Sequence, residues 1–301
     1  MNNETDHDVE LTCAGLKVHF TDPIQLERSG RDDEFRVAGA TSPSSPAGEI
    51  HRIECESRVI IDIDMMKDGV VEAHHHAEFS DLEFNQVTGA FRATGPGLIE
   101  STQPDTGKQL TTSPRAVARA NTPVKTPEKT FVFIHATFIG QLEGNRNERF
   151  VQLKQHVRGV FGPVRQLGDR INIDGLSVDE LPEKTGSLGC ENLSISAIPG
   201  TNAKWNSFSM VAESNSSDSR KGTRTPCRLE SQPISGDADK ITYDHSKQQF
   251  ILRADEGRQA RVSHRRDGGE PESLTGREIL YYRDTNQLTA TQITGVQASE
   301  R

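Results

Sequence analysis

Three consecutive histidines, His74, His75 and His76, are the first residues of this chain whose types and spacing could do chemistry. On a β-strand His74 and His76 share one face, and neutral imidazole is a good ligand for a transition metal. A site needs a third ligand, and no His-x-His partner or carboxylate pattern supplies one, so histidines solvated at a strand edge are the expectation. Asp62 and Asp64, and the run Gly236-Asp237-Ala238-Asp239, offer carboxylates. Calcium asks for carboxylates and carbonyls at loop spacing, and neither an EF-hand nor a nonapeptide pattern is present. Cys13, Cys55, Cys190 and Cys227 lie far apart with no C-x-x-C spacing, which argues against a zinc ribbon or a thioredoxin-type centre. Buried thiols are the plain reading, with one disulfide open in an oxidising compartment. The nucleophile elbow, the P-loop and the dinucleotide fingerprint are all missing. The chain is therefore read as a non-enzyme, with no catalytic residue, metal or cofactor assigned.

The bulk numbers point the same way. A chain of 301 residues has room for one or two domains, yet only 33 % of it is hydrophobic and it holds a single Trp. A compact layered enzyme of this size carries more, whereas a sheet with one apolar face needs less. The net charge of −9 disfavours a nucleic-acid partner, and basic clusters such as Arg261–Arg266 read as solvated strand faces. No apolar run is long enough for a transmembrane helix. The start is acidic, without the apolar stretch of a signal peptide, and opens almost directly into a strand, as though a preceding part were missing.

The elements that must position these residues are strands. Residues 82–93 (LEFNQVTGAFRA), 241–252 (ITYDHSKQQFIL) and 279–290 (ILYYRDTNQLTA) share one twelve-residue frame. Leu82, Ile241 and Ile279 stand first, Phe84, Tyr243 and Tyr281 third, Phe91, Phe250 and Leu288 tenth, and Ala93, Leu252 and Ala290 twelfth. Alternation, a polar turn, and alternation resumed in register describe a repeated β-hairpin. A second repeat aligns residues 11–20 with 188–197, pairing Leu11 with Leu188, Cys13 with Cys190, Leu16 with Leu193 and Val18 with Ile195. The phase changes after each cysteine, which predicts a β-bulge. Val59, Ile61 and Ile63 alternate with Asp62 and Asp64; residues 131–140 read as a strand covered on both faces; residues 149–164 form a long alternating strand. Residues 114–120 are the one helical candidate. Polar, Pro- and Ser-rich insertions at 38–50, 102–130 and 213–236 read as mobile loops. Residues 1–112 and 131–301 are thus expected to be two β units joined by a polar linker at 113–130.

The hairpin frame, carried by residues 238–262 and 274–296 and more weakly by 77–101, resembles the OstA-like (LptA-like) family, which includes periplasmic lipopolysaccharide-transport bridge proteins. The resemblance implies an all-β, elongated open β-jellyroll (β-taco), here as two tandem units sharing a continuous sheet. It further implies a non-enzymatic cell-envelope protein of the periplasm or envelope. Such a protein binds lipopolysaccharide or another amphipathic lipid and adds edge strands to partner jellyrolls. Leu82, Phe84, Phe91, Ile241, Tyr243, Phe250, Leu252, Ile279, Tyr281 and Leu288 are then the lipid-groove candidates. The same residue types also make an ordinary core. The alternatives are a β-solenoid or sandwich enzyme acting on polysaccharide, marked by carboxylates clustered on a solvent-facing sheet, and a purely structural envelope scaffold.

Overall fold

The structure, a computed structural model, describes residues 6–21, 26–28, 35–37, 50–105, 130–198, 208–214, 225–265 and 271–297. Its strands, in chain order, begin with β1 (Asp6–Thr12), β2 (Gly15–Phe20), β3 (Leu26–Arg28), β4 (Phe35–Val37), β5 (Ile50–Glu56) and β6 (Val59–Lys67). There follow β7 (Val70–Phe79), β8 (Asp81–Asn85), β9 (Ala90–Thr94), β10 (Gly97–Pro104), β11 (Phe131–Phe138), β12 (Gln141–Asn145) and β13 (Phe150–Val164). The remainder holds β14 (Gly186–Ala197), β15 (Phe208–Glu213), β16 (Cys227–Ser231), β17 (Ile234–Ala238) and β18 (Lys240–Asp244). The last four are β19 (Gln249–Arg253), β20 (Ala260–Arg265), β21 (Pro271–Tyr282) and β22 (Gln287–Gln297). The described residues contain no α-helix, so the chain is all-β as expected. Twenty strands share one sheet, and β3 and β4 form a separate ribbon.

The hairpin frames fold as their alternation requires. Leu82 lies opposite Ala93 and Phe84 opposite Phe91; Ile241 faces Leu252 and Tyr243 faces Phe250; Ile279 meets Ala290 and Tyr281 meets Leu288. A fourth copy joins them at residues 142–153, with Leu142 opposite Leu153 and Gly144 opposite Val151. In all four frames the eighth residue is left-handed: Gly89 at φ 72°, Arg149 at 53°, Gln248 at 48° and Asn286 at 52°. That residue closes the short loop so that the returning strand keeps register. Asn85, Asn145 and Asp244, each fourth in its frame, accept backbone N–H groups from residues two or three further on at 2.8 to 2.9 Å, the usual way an Asx side chain fixes a turn.

The pairings lay the strands out in two layers. One runs β2–β5–β8–β9–β12–β13–β14–β15–β18–β19–β21–β22, the other β1–β6–β7–β10–β11–β13–β14–β16–β17–β20–β21–β22. The long strands β13, β14, β21 and β22 belong to both, crossing from one layer to the other. β1 and β2 are consecutive pieces of another such crossing strand, broken at Cys13 and Ala14. The expected irregularity is therefore real at Cys13. At Cys190 it falls on the neighbouring strand, where Gln155 and His156, at φ 67° and 51°, bulge out of β13. Strands β14, β16, β17, β20, β21, β19, β18 and β15 close into a ring of eight.

Because every frame keeps register, their first and twelfth positions form one unbroken row across a layer. It runs from Leu16 through Cys55, Leu82, Ala93, Leu142 and Leu153 to Leu193, Ala212, Ile241, Leu252, Ile279 and Ala290. The facing layer carries Leu11, Ile61, Ala77, Ile99, Ala136, Leu188, Leu229, Val262 and Leu274 in a matching row. Members of both rows pack into one hydrophobic cluster. The run at 131–140 is covered on both faces as expected: Ala136 and Phe138 join this cluster, while Phe131 and Phe133 pack outside against Val164, Leu167 and Ile171.

Two of the expected mobile loops are partly strand: residues 102–104 of the insertion 102–130 belong to β10, with Thr102 buried. The segment 213–236 was expected to be a mobile loop, yet its second part forms β16 and the start of β17, with Cys227, Leu229 and Ile234 buried. Three apolar residues at alternate or turn-separated positions are enough to anchor a polar stretch once neighbouring strands cover them. The insertion 38–50, apart from Ile50, lies outside the described residues, as do 106–129 of the insertion 102–130, and with them nearly all of the linker 113–130 and the helical candidate at 114–120. Strands β10 and β11, which flank that linker, pair directly, and the strand pattern starts anew at β14.

Candidate functional site

The apolar rows end in different environments. In the second half, β14 to β22, six frame positions are sealed: Ile241, Tyr243, Phe250, Leu252, Ile279 and Tyr281 are all 6 % exposed or less. Tyr243 packs on Phe250 at 4.6 Å between ring centroids and on Phe208 at 5.9 Å. His264, buried on β20 of the facing layer, packs against Tyr281 at 5.7 Å. Its Nε2 lies 2.7 Å from Asn286 Oδ1, the acceptor to which the Tyr281 hydroxyl also donates at 3.1 Å. A turn residue of one layer is thus latched to a strand residue of the other. Leu288, on the last strand, is half-buried.

In the first half, β1 to β13, Cys55, Ala93, Leu142 and Leu153 are sealed as well, but other inner positions stay partly open. Leu82, Phe84 and Phe91 are half-buried, and so are Ile53, Ile61, Ile63, Met65 and Ile99 around them. Toward the terminal strand exposure rises, with Val9 and Leu16 each 57 % exposed and Leu11 and Phe20 also exposed. These four sit on β1 and β2, and among the described residues β1 pairs only with β6 and β2 only with β5. At the opposite end, again among the described residues, β22 pairs only with β21 and exposes Ile293. An apolar trough therefore opens at β1–β2 and narrows into the closed ring.

The structure thus brings all ten groove candidates onto one layer and splits them by access. Leu82, Phe84 and Phe91 reach the trough, the six sealed side chains are core, and Leu288 is half-buried on β22. The trough residues absent from the candidate set, Ile53, Met65 and Ile99 among them, lie outside any repeated frame. Leu11, Leu16, Val18, Ile61 and Ile63 were legible as alternating apolar residues, though their exposure was not.

The histidine run divides between two faces. His75 points into the trough, where Nδ1 is 2.9 Å from the Ser101 hydroxyl and Nε2 is 3.3 Å from Met65 Sδ. Burial, with smaller repulsions from His74 and His7, pushes its pKa below the ordinary imidazole value. His74 and His76 lie on the outer face of β7, an interior strand between β6 and β10 and not the edge expected for them. His74 Nδ1 is 2.7 Å from Asp64, His76 Nδ1 is 2.7 Å from Asp62 and its Nε2 is 3.1 Å from Glu78. Desolvation pulls His76 down, but Asp62 and Glu78 together raise it above its usual range. The ladder continues through Glu100, 3.0 Å from His135 and 2.8 Å from Arg170. Among the described residues no group of three or more His, Cys, Asp or Glu is arranged to hold a metal ion. Nor is any helix there long and apolar enough to cross a membrane. A hollow of about 840 Å³ on the outer face of the second half is lined by Arg228, Arg261, Asp237 and Glu230, mixed charges unsuited to an acyl chain. No family model, curated protein or solved structure matches this chain.

Proposed function

We propose that this is a non-enzymatic protein of the cell envelope, OstA-like in plan, which holds the acyl chains of an amphipathic lipid in the first-half trough. On this reading the chain forms an elongated open β-jellyroll of two tandem units, working in the periplasm or at the envelope. The observation that carries the proposal is the apolar row itself, continuous across twelve strand positions and opening toward solvent at its β2 end, where Leu16 is exposed and Leu82 half-buried. Burying an acyl chain contributes about 0.8 kcal/mol per CH₂, so a few rungs suffice for measurable binding.

The end strands support the second half of the proposal, strand addition to other jellyrolls. β22 crosses the layers in the direction opposite to β1–β2, as β13 does relative to β14, with which it already pairs antiparallel inside the chain. The internal junction is thus a template for joining a β22-type strand of one unit to the free side of β1–β2 of the next, by the backbone pairing that edge strands offer. A polysaccharide-directed enzyme would draw on the outer carboxylates Asp62, Asp64, Glu78 and Glu100. Each already lies within 3.1 Å of a histidine or arginine, which favours a solvated ladder.

A photo-crosslinking residue placed at Phe84, Tyr243 or Lys247 tests the lipid reading with lipopolysaccharide as the probe. Capture at Phe84, with little at the sealed Tyr243 and the turn residue Lys247, is expected. Equal capture at all three, or none at Phe84, would sink it and leave a structural scaffold.

A further inference from the structure

All four cysteines of this chain fall into two adjacent pairs, one in each half, and each pair sits where a crossing strand passes between the layers. In the second half, β14 and β16 pair Gly186 with Ser231, Leu188 with Leu229 and Gly189 with Arg228. The next step in that register sets Cys190 opposite Cys227. Both share the inner face with Leu188 and Leu229, and both join the central cluster. Directly opposed antiparallel residues have Cα atoms about 4.5 to 5.5 Å apart, inside the span a disulfide bridges. In the first half Cys13 stands at the break between β1 and β2, and its thiol lies against that of Cys55 on β5.

The two pairs are not simple copies. Cys13 and Cys190 hold equivalent places in their crossing strands, but their partners do not. Cys55 occupies the row position that Ala212 fills in the second half, while Cys227 corresponds to Val59. A bend residue touches both layers, so a partner on either layer can meet it. Each half meets that condition by a different substitution, which points to the pairing, and not one inherited position, as the common feature.

We propose that Cys13–Cys55 and Cys190–Cys227 are two disulfide-forming sites that clamp the creases of the sheet. The oxidant is a small-molecule disulfide of the glutathione class. One protein thiolate attacks it, forming a mixed disulfide and releasing one glutathione thiol. The second cysteine, deprotonated, displaces the other glutathione and completes the bridge. Two protein thiols are oxidised to one disulfide, and the reagent is reduced to two thiols. Cys13 and Cys190 keep part of their surface in solvent and are the points of first attack. Burial, together with the neighbouring Cys13, pushes Cys55 up to about 11, and burial also drives Cys190 up, so the reaction is slow at neutral pH and quickens as pH rises. Each bridge closes a loop of about 40 residues. The first fastens β1–β2, the strand with the most exposed apolar side chains, to β5, the neighbour of β2.

The test is to incubate the full chain with oxidised glutathione at mildly alkaline pH and map its peptides without reduction. Two bridged species are expected, Cys13 with Cys55 and Cys190 with Cys227. A rise in Tm of about 5 °C or more, reversed by reductant, should accompany them. Cys13→Ser and Cys190→Ser should each lose one bridge and keep the other, with circular dichroism of the reduced variants confirming the fold. Scrambled pairs, glutathione left on single cysteines, or thiols that react only after denaturation would each overturn the proposal.

Discussion

The two halves of this molecule follow one strand plan and differ in how it is finished. β1–β2 corresponds to β14, β5 through β10 to β15 through β20, β11 and β12 together to β21, and β13 to β22. In the second half Tyr243, Phe250 and Tyr281 fill the row on the rim side, away from the crease, and the His264–Asn286 hydrogen bond ties one layer to the other. In the first half Phe84, Phe91 and Gly144 hold that row. Ser101 stands in the place of His264 and turns to His75 on its own layer, and Arg149 stands in the place of Asn286. Whether a folded sheet is a core or a trough is thus decided by a few rim residues, while backbone and apolar rows stay the same. A lipid site and a core use identical side-chain types, and only access separates them.

The largest effect that can break this comparison comes from removing equivalent apolar groups. Ile241→Ala empties a fully sealed position and should cost about 2 to 5 kcal/mol in chemical denaturation. Leu82→Ala, at the half-buried counterpart, should cost about 1 kcal/mol or less, because solvent already reaches it. Equal losses would mean that the first half is sealed in solution as well.

A smaller change sharpens the point at the latch. Asn286→Gly keeps the left-handed turn, since glycine adopts that φ freely, and deletes only the side chain that meets His264. A buried polar group left without its partner costs about 1 to 3 kcal/mol. The variant should lose stability in that range and begin to bind an apolar dye in its second half, as is expected of the wild-type first half. Unchanged stability together with unchanged dye binding would show that aromatic packing alone seals the ring.

Much of this architecture was legible because period two fixes which side chains share a face once register is set. The three visible frames and the repeated cysteine strands sufficed for an all-β sheet with its apolar rows. The fourth frame escaped because Gly144 stands where its counterparts carry Phe or Tyr. The reason is steric: a Cβ there would come within 2.4 Å of the Phe91 ring and of the Phe150 carbonyl oxygen. Residues 225–236 were missed because composition over a long window hid the few anchors, Cys227, Leu229 and Ile234, that matter. The division into trough and core was out of reach altogether, since exposure at Leu82 and burial at Leu252 depend on strands far away in the chain. The outward histidines likewise gave no sign of Glu100, His135 and Arg170, which a strand pairing brings beside them.

The smallest effect separates the halves by pH, because both histidines with resolved shifts lie in the first. His75 has a folded pKa below the ordinary 6.5, so the folded chain binds its proton less readily than the unfolded one. Its contribution is intact above 6.5, and stability is lost as pH falls from there toward the folded value. His76, raised by Asp62 and Glu78, acts in the opposite sense: its extra stability is present below 6.5 and is lost as pH rises through the folded value. The two partly cancel in the wild type, which is why single variants are needed. Thermal melting from about pH 5 to pH 8 should show His75→Gln losing less stability on acidification than the wild type, and His76→Gln losing more. Both substitutions keep a polar side chain of similar reach, so a common loss at every pH would report damaged packing, whereas opposite slopes can only come from the two protonation equilibria. Identical pH profiles for the two variants would mean that the trough admits water freely around His75, and with it the sheltered lining that the proposed acyl binding requires would be gone.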